Sequence, residues 1–267
     1  MADKPVSGTK EWAASNFNIQ LGCEHDCRYC YAKSVAIRFN RATPETWKEE
    51  RILPDKCAKN FGKRKGTIMF PTTNDITPGN LPNSLGVLKK MLLAGNDVLV
   101  VSKPHLDCIV SLCHNLTDHQ DQILFRFTIG SGNDNVLAFW EPGAPGFSER
   151  LAALTYACKT GYKTSVSMEP ILDTDEDDIV VLVEQLDPWV TDSIWLGKMN
   201  SVERRLKLNG EWNEATERMA AALMVSQTDY CIKKLYARLK DHPDVKWKES
   251  IKKVVGLEVP TEKGLDV

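Results

Sequence analysis

The sequence predicts an α/β fold, a partial (β/α)6 TIM-like barrel with a C-terminal helical extension. Three observations carry this. Short β-rich runs alternate six times with helical stretches over residues 1–200. The runs are mostly continuously apolar, as expected where both faces of a parallel sheet are covered. The 267 residues suit a single barrel of roughly 200–250 residues, and no repeat, low-complexity tract or Gly/Ser linker divides the chain.

Each element follows from local pattern. Phe17 to Leu21 reads as the first strand and Tyr31 to Phe39 as the helix after it. Thr67 to Phe70 is the second strand, with Leu81 to Ala94 helical; Asp97 to Ser102 is the third, with Asp107 to Asn115 helical. Gln122 to Ile129 is the fourth strand, followed by a helix from Ser148 to Lys159 with Ser148 as its cap. Tyr162 to Met168, the helix Asp175 to Gln185 and a last short strand, Ser193 to Leu196, complete the series. Serial β–α units imply parallel pairing and right-handed crossovers, with chemistry at the C-terminal strand ends. Beyond Asn200 the pattern is helical only: Trp212 to Met224, Gln227 to Leu239 and Val245 to Val255. This extension, 201–267, is expected to pack on the barrel (1–200) within a single domain. The non-periodic insertion Arg41 to Lys65 is the expected lid or substrate loop.

Composition excludes several classes. The 42% apolar content is too high for a disordered chain, and no apolar run is long enough to span a membrane. The opening residues, MADKPVSGTKEW, contain no apolar signal core. A reducing cytoplasm is therefore expected, where eight cysteines point to metal ligands, catalytic groups or buried thiols rather than disulfides.

Three cysteines are concentrated in Cys23-Glu-His-Asp-Cys27-Arg-Tyr-Cys30, directly between the first strand and first helix. Three thiolates at this spacing can hold three irons of a [4Fe–4S] cube. A ferredoxin-type site supplies four. With no fourth cysteine in register, one iron is left for a chelating ligand. The alternative is zinc, completed by His25 or a distant cysteine, in a non-enzymatic nucleic-acid-binding or scaffold protein. Against it, His25 sits on a very short loop with poor tetrahedral geometry.

This segment resembles the radical S-adenosylmethionine (SAM) superfamily. Gly22 to Ala32, Pro71 to Asn80, Val100 to His105, Trp140 to Leu151 and Ser167 to Asp173 resemble its spore photoproduct lyase-like branch, also labelled DNA repair photolyase-like. The resemblance covers roughly residues 15 to 200; the cysteine motif is its specific part. Glu169-Pro170-Ile171 and Trp195-Leu196-Gly197 are also similar to some phage-borne radical proteins.

The resemblance implies that SAM chelates the open iron. One electron, from a flavodoxin- or ferredoxin-type donor, would break its S–C5′ bond, and the 5′-deoxyadenosyl radical would take hydrogen from a substrate. Nucleic acid or a nucleotide is the favoured substrate class, with a peptide, protein or small molecule as the alternative. Tyr29 would pack beside cluster and adenine. Lys103 and Thr128, with Ser131 as the neighbouring alternative to Thr128, would meet the methionyl carboxylate. Glu169 would accept from a ribose hydroxyl or fix a loop. Asp75 and Asn74 would line the substrate side, and Glu141 and Arg150 would form a structural ion pair.

One departure stands out. Spore photoproduct lyases carry a cysteine that donates hydrogen to the product radical; Thr72 holds that place here. An O–H bond is too strong to donate readily to a carbon radical. Cys57 is a candidate substitute. Cys108, Cys113, Cys158 and Cys231 read as buried free thiols. The net charge of −2 gives no global case for nucleic acid. It hides basic patches at Lys56 to Lys65, at Lys198 to Lys207 and on the C-terminal helices, offset by the acidic run Asp173 to Asp178.

Overall fold

A computed structural model describes residues 5–266. In chain order the elements are β1 (Ser15–Asn16), β2 (Gln20–Leu21), α1 (Tyr31–Arg38), β3 (Arg51–Ile52), α2 (Pro54–Ala58), β4 (Ile68–Phe70) and α3 (Leu81–Leu93). There follow β5 (Val98–Ser102), α4 (Leu106–Asn115), β6 (Ile123–Thr128), α5 (Asp134–Trp140), α6 (Phe147–Lys159), β7 (Lys163–Met168) and α7 (Glu176–Leu186). The chain ends with β8 (Ile194–Leu196), α8 (Val202–Leu208), α9 (Glu214–Ser226), α10 (Asp229–Leu239), β9 (Val245–Trp247) and α11 (Glu249–Val255).

Seven strands pair in parallel in the order β1-β4-β5-β6-β7-β8-β9, a curved sheet that does not close. The two sheet faces differ, and the strands are less uniformly apolar than their sequence suggests. Ile68, Phe70, Val98, Val100, Phe125, Phe127, Val166 and Ile194 face the helices and form the main core. The alternate residues face the lumen: Met69, Leu99 and Trp195 with Trp12, and the buried polar Arg126, Thr128, Ser165 and Ser167. Period-2 alternation sends successive side chains to opposite faces. A lumen that holds polar groups therefore needs them on one face only.

Arg126 plugs the base of the lumen. Its guanidinium lies 4.9 Å from the Trp12 ring centroid and 5.6 Å from that of Trp195. It donates to Ser165 at 2.8 Å and to both Asp266 carboxylate oxygens at 3.0 Å.

Several sequence expectations shift. The first strand is not Phe17–Leu21. β1 pairs with β4, and β2 leaves the barrel to pair antiparallel with β3 of the insertion. Asn18, between them, instead accepts the N–H groups of Thr72 and Thr73 at 2.7 and 3.1 Å. The insertion is thus docked, with Trp47 buried against Cys23, Ala32 and Ala36. Ser148 does not cap α6; the helix starts one residue earlier, after Gly146, and Phe147 N–H donates to Asp134 Oδ1 at 2.6 Å. The helices α5 and α8 were not expected. Val245–Val255 is not one helix: Val245–Trp247 forms the seventh parallel strand beside β8, and only Glu249–Val255 is helical.

Candidate active site

The C-terminal ends of the parallel strands open onto one cavity of about 540 Å³. Its lining includes Cys23, Cys27, Tyr29, Cys30, Asp75, Lys103, Thr128 and Glu169. With Asn74, which also lines it, nine of the ten residues expected at the site are therefore together. Ser131 is placed off this cavity. It is fully buried, its hydroxyl donates to Asp173 Oδ1 at 2.5 Å, and it accepts from Asn133 N–H, so it orders the loop after β6.

The cysteine loop begins at Gly22, whose φ of +91° lies in the left-handed region. A Cβ there would stand 2.2 Å from the Glu49 carbonyl oxygen and 2.7 Å from that of Trp47. Cys23 N–H donates to Trp47 O at 2.9 Å, and Cys30 N–H to Cys27 O at 3.0 Å. Cys30 caps α1, its sulfur accepting from Lys33 N–H at 3.4 Å. Beneath the loop the buried Lys33 ammonium meets Asp26 at 2.8 Å and Glu211 at 3.3 Å. Asn209 donates to the carbonyls of Arg28 and Cys30 at 2.8 and 3.0 Å. The C-terminal segment therefore fastens the loop.

The three thiol sulfurs line one cavity, yet they do not gather within 4.8 Å of one another. Tetrahedral zinc with Zn–S bonds of ~2.3 Å needs sulfurs only about 3.8 Å apart. Burial, first of all, pushes the pKa of each thiol up. Thiolates here need a neutralising metal charge. His25 is fully buried, with Nδ1 at 2.9 Å from Asp75 Oδ2 and Nε2 at 2.9 Å from His105 Nε2. With Cys23 and Asp75 it forms a compact set that uses only one of the three cysteines.

Asp75 stands beside the cysteine loop, its Oδ2 3.9 Å from Cys23 Sγ. Its Oδ1 accepts from Lys103 N–H at 2.7 Å, and Oδ2 lies 3.4 Å from Lys103 Nζ. Burial alone would raise its carboxyl, but Lys103 and then His25 outweigh that and hold it well below the usual carboxylate range. Asn74 beside it lines the cavity, and its buried Oδ1 has no hydrogen-bond partner among the described residues.

Tyr29 donates its hydroxyl to Glu141, which pairs with Arg150 at 2.5 Å, both side chains fully buried. Arg150 also donates to Pro145 O and Thr128 O. The expected Glu141–Arg150 pair is thus present and anchors Tyr29. Glu169 meets Lys248 at 3.3 Å; Lys248 also meets Glu11 at 2.9 Å and the Gly8 carbonyl at 3.0 Å. Arg205 and Lys248 figure in the sequence only as members of basic patches, and Glu11 and Trp47 lie outside the recognised motifs.

Thr72 lines the cavity; its Oγ1 accepts from Asn18 at 2.6 Å and its carbonyl from the Tyr31 hydroxyl at 2.5 Å. Cys57 lies on α2 and is not among the lining residues. Cys108 and Cys113 are buried as expected, whereas Cys158 and Cys231 are only half-buried. The C-terminal basic residues are largely paired. Lys234 and Arg238 meet Glu176 at 3.2 and 3.1 Å, Arg238 also meets Asp177, and Lys253 meets Glu249. No helix among the described residues is long and apolar enough to cross a membrane.

No protein-family model matches the chain. The uncharacterized protein ORF301 of Acidianus two-tailed virus is 28% identical over 193 residues, 66% of this chain and 62% of that protein. The matched region therefore spans less than two thirds of that relative. Among solved structures, a spore photoproduct lyase mutant with dinucleoside spore photoproduct superposes with a TM-score of 0.58 at 15% identity, covering 92% of this chain and 79% of that one. A second mutant of the lyase, with bound AdoMet and the same dinucleoside, gives 0.57 at 16% with the same coverage. Streptococcus suis SuiB bound to S-adenosylmethionine gives 0.55 at 12%, covering 94% of this chain and 54% of SuiB. The chain has the fold of spore photoproduct lyase and SuiB, an α/β partial barrel.

Proposed function

We propose that the chain is a radical SAM enzyme that holds one [4Fe–4S] cluster on Cys23, Cys27 and Cys30. The observation that carries this reading is three thiols, two buried and one half-buried, not gathered closely enough for one zinc and lining a single cavity with Lys103 and Asp75. Held by Cys23, Cys27 and Cys30 with SAM beside it, a cluster would supply one electron, drawn from a flavodoxin- or ferredoxin-type donor, for reductive cleavage of SAM and so for radical chemistry on a substrate C–H bond.

The chain's own residues bind and orient. Lys103, fixed by Asp75, offers its ammonium to the methionyl carboxylate beside Thr128. Asn74 Oδ1 is a free acceptor for an amine or hydroxyl. Glu169, held by Lys248, presents a carboxylate to ribose hydroxyls. Tyr29 walls the adenine side on the Glu141–Arg150 pair. Ser131 acts indirectly, by holding the loop after β6. The substrate is nucleic acid or a nucleotide, and Thr72 in the lyase's cysteine position argues for a product other than that of the lyase. A peptide is the second reading, favoured by the fold shared with SuiB, which has been solved with its precursor peptide SuiA.

Metal analysis after anaerobic reconstitution tests the cluster. Iron and sulfide approaching about four each per chain are expected, with loss on Cys23→Ala, Cys27→Ala or Cys30→Ala. Colourless protein carrying one zinc contradicts the proposal.

A further inference from the structure

Among the described residues, four of the five arginines without a hydrogen bond or ion pair to the guanidinium lie on or next to two adjacent helices; the fifth is Arg51 on β3, and Arg64 meets only Ser15, at 3.4 Å. Arg28, Arg126, Arg150, Arg218 and Arg238 all have carboxylate partners. Arg38 and Arg41 at the end of α1, and Arg204 and Arg205 on α8, have no hydrogen bond or ion pair to their guanidinium groups among the described residues. The two helices pack side by side, tied by the 2.8 Å hydrogen bond from Ser34 to Asn209. An unbalanced positive face therefore runs along their junction.

The same face is apolar where a solvated helix is normally polar. Tyr31, Val35 and Phe39 are 42%, 43% and 53% exposed, and their spacing of four puts them on one stripe of α1. Arg38 and Arg41 lie 4.9 and 5.5 Å from the Phe39 ring centroid. The stripe starts at the reaction site, since Tyr31 and Arg205 line the cavity. A second depression, of about 860 Å³ and lined by Arg38 and Arg204, continues from it and shares Lys198 and Asn200 with it.

Unpaired arginines track a phosphate backbone, and exposed rings and guanidinium planes stack on bases. We infer that the α1–α8 face binds a single strand of nucleic acid and leads it into the cavity. This inference rests on the cavity being the reaction site, but its binding test does not require the cluster.

The test is fluorescence anisotropy of a labelled oligothymidylate, with oligouridylate in parallel, against the full chain over a salt series. The double variant Arg38→Ala/Arg41→Ala is expected to flatten the slope of log affinity against log salt by about 1.4, at ~0.7 per single-strand phosphate contact. Phe39→Ala is expected to weaken binding roughly tenfold. Arg218→Ala, exposed on α9 and paired with Glu214, is expected to change neither. An unchanged slope in the double variant, an equal effect of Arg218→Ala, or displacement by polyglutamate as readily as by oligonucleotide overturns the inference. The last result marks a surface for an acidic peptide. Release of 5′-deoxyadenosine without oligonucleotide, measured on the same protein, separates failure of this face from failure of the cavity reading.

Discussion

Lys103 and Asp75 show how single residues set the site's electrostatics. Asp75 is buried and Lys103 largely so, and each makes the other's charge tolerable. A Lys103→Met variant keeps the bulk and removes the charge. We expect it to weaken SAM binding about tenfold or more, as loss of a charged hydrogen bond does; unchanged equilibrium binding contradicts the assignment. Asp173 behaves oppositely. Burial raises its carboxyl above the ordinary value despite the hydrogen bond from Ser131. A carboxyl raised in the fold binds its proton more tightly folded than unfolded, so stability falls as pH rises from the ordinary value through the raised one. Asp173→Asn is therefore expected to flatten that decline and to be no less stable at neutral pH. Denaturant melts across this window check it, and a steeper decline in the variant contradicts it.

The cysteine loop is an element built by its neighbours. Gly22 turns against two carbonyls of the insertion, Lys33 sits beneath, and Asn209 and Glu211 close it from the C-terminal segment. Gly22→Ala would add both a left-handed strain and a clash with backbone oxygens that cannot swing aside. We expect loss of iron incorporation together with a stability cost of about 1–3 kcal/mol. Native-like iron content in Gly22→Ala protein would contradict the loop geometry. The cysteines, Tyr29, Asp75, Lys103, Thr128 and Glu169 were legible because each lies at a strand end or within a short motif. Asn209 was not, because 181 and 179 residues separate it from the Arg28 and Cys30 carbonyls it holds, and Lys248, which holds Glu169, lies outside every motif. Ser131 lies off the cavity lining and bonds Asp173 instead, since a strand-end position does not say which way the following loop turns.

At the scale of the whole molecule, the five strands from Ile68 to Leu196 were readable from periodicity, whereas the first strand and the lumen were not. Arg126 in the apolar-looking run Ile123–Thr128 gives no local sign that two tryptophans and Asp266 await it. Likewise Val245–Trp247 is too short for its period to distinguish strand from helix, and β8 decides the matter by offering an edge. Arg126→Ala removes one partner of a buried charge network and is expected to cost about 3 kcal/mol. Arg238→Ala, which removes an exposed pair, is expected to leave stability nearly unchanged. Comparable denaturation midpoints for the two variants would contradict the lumen's role.

Radical generation from SAM is the work proposed for this partial barrel. Its most direct test is anaerobic incubation of the reconstituted protein with dithionite and SAM, followed by chromatography for 5′-deoxyadenosine. This nucleoside is expected to accumulate, and its formation to be abolished by Cys27→Ala. Intact SAM after incubation with a fully loaded, reduced cluster would contradict it.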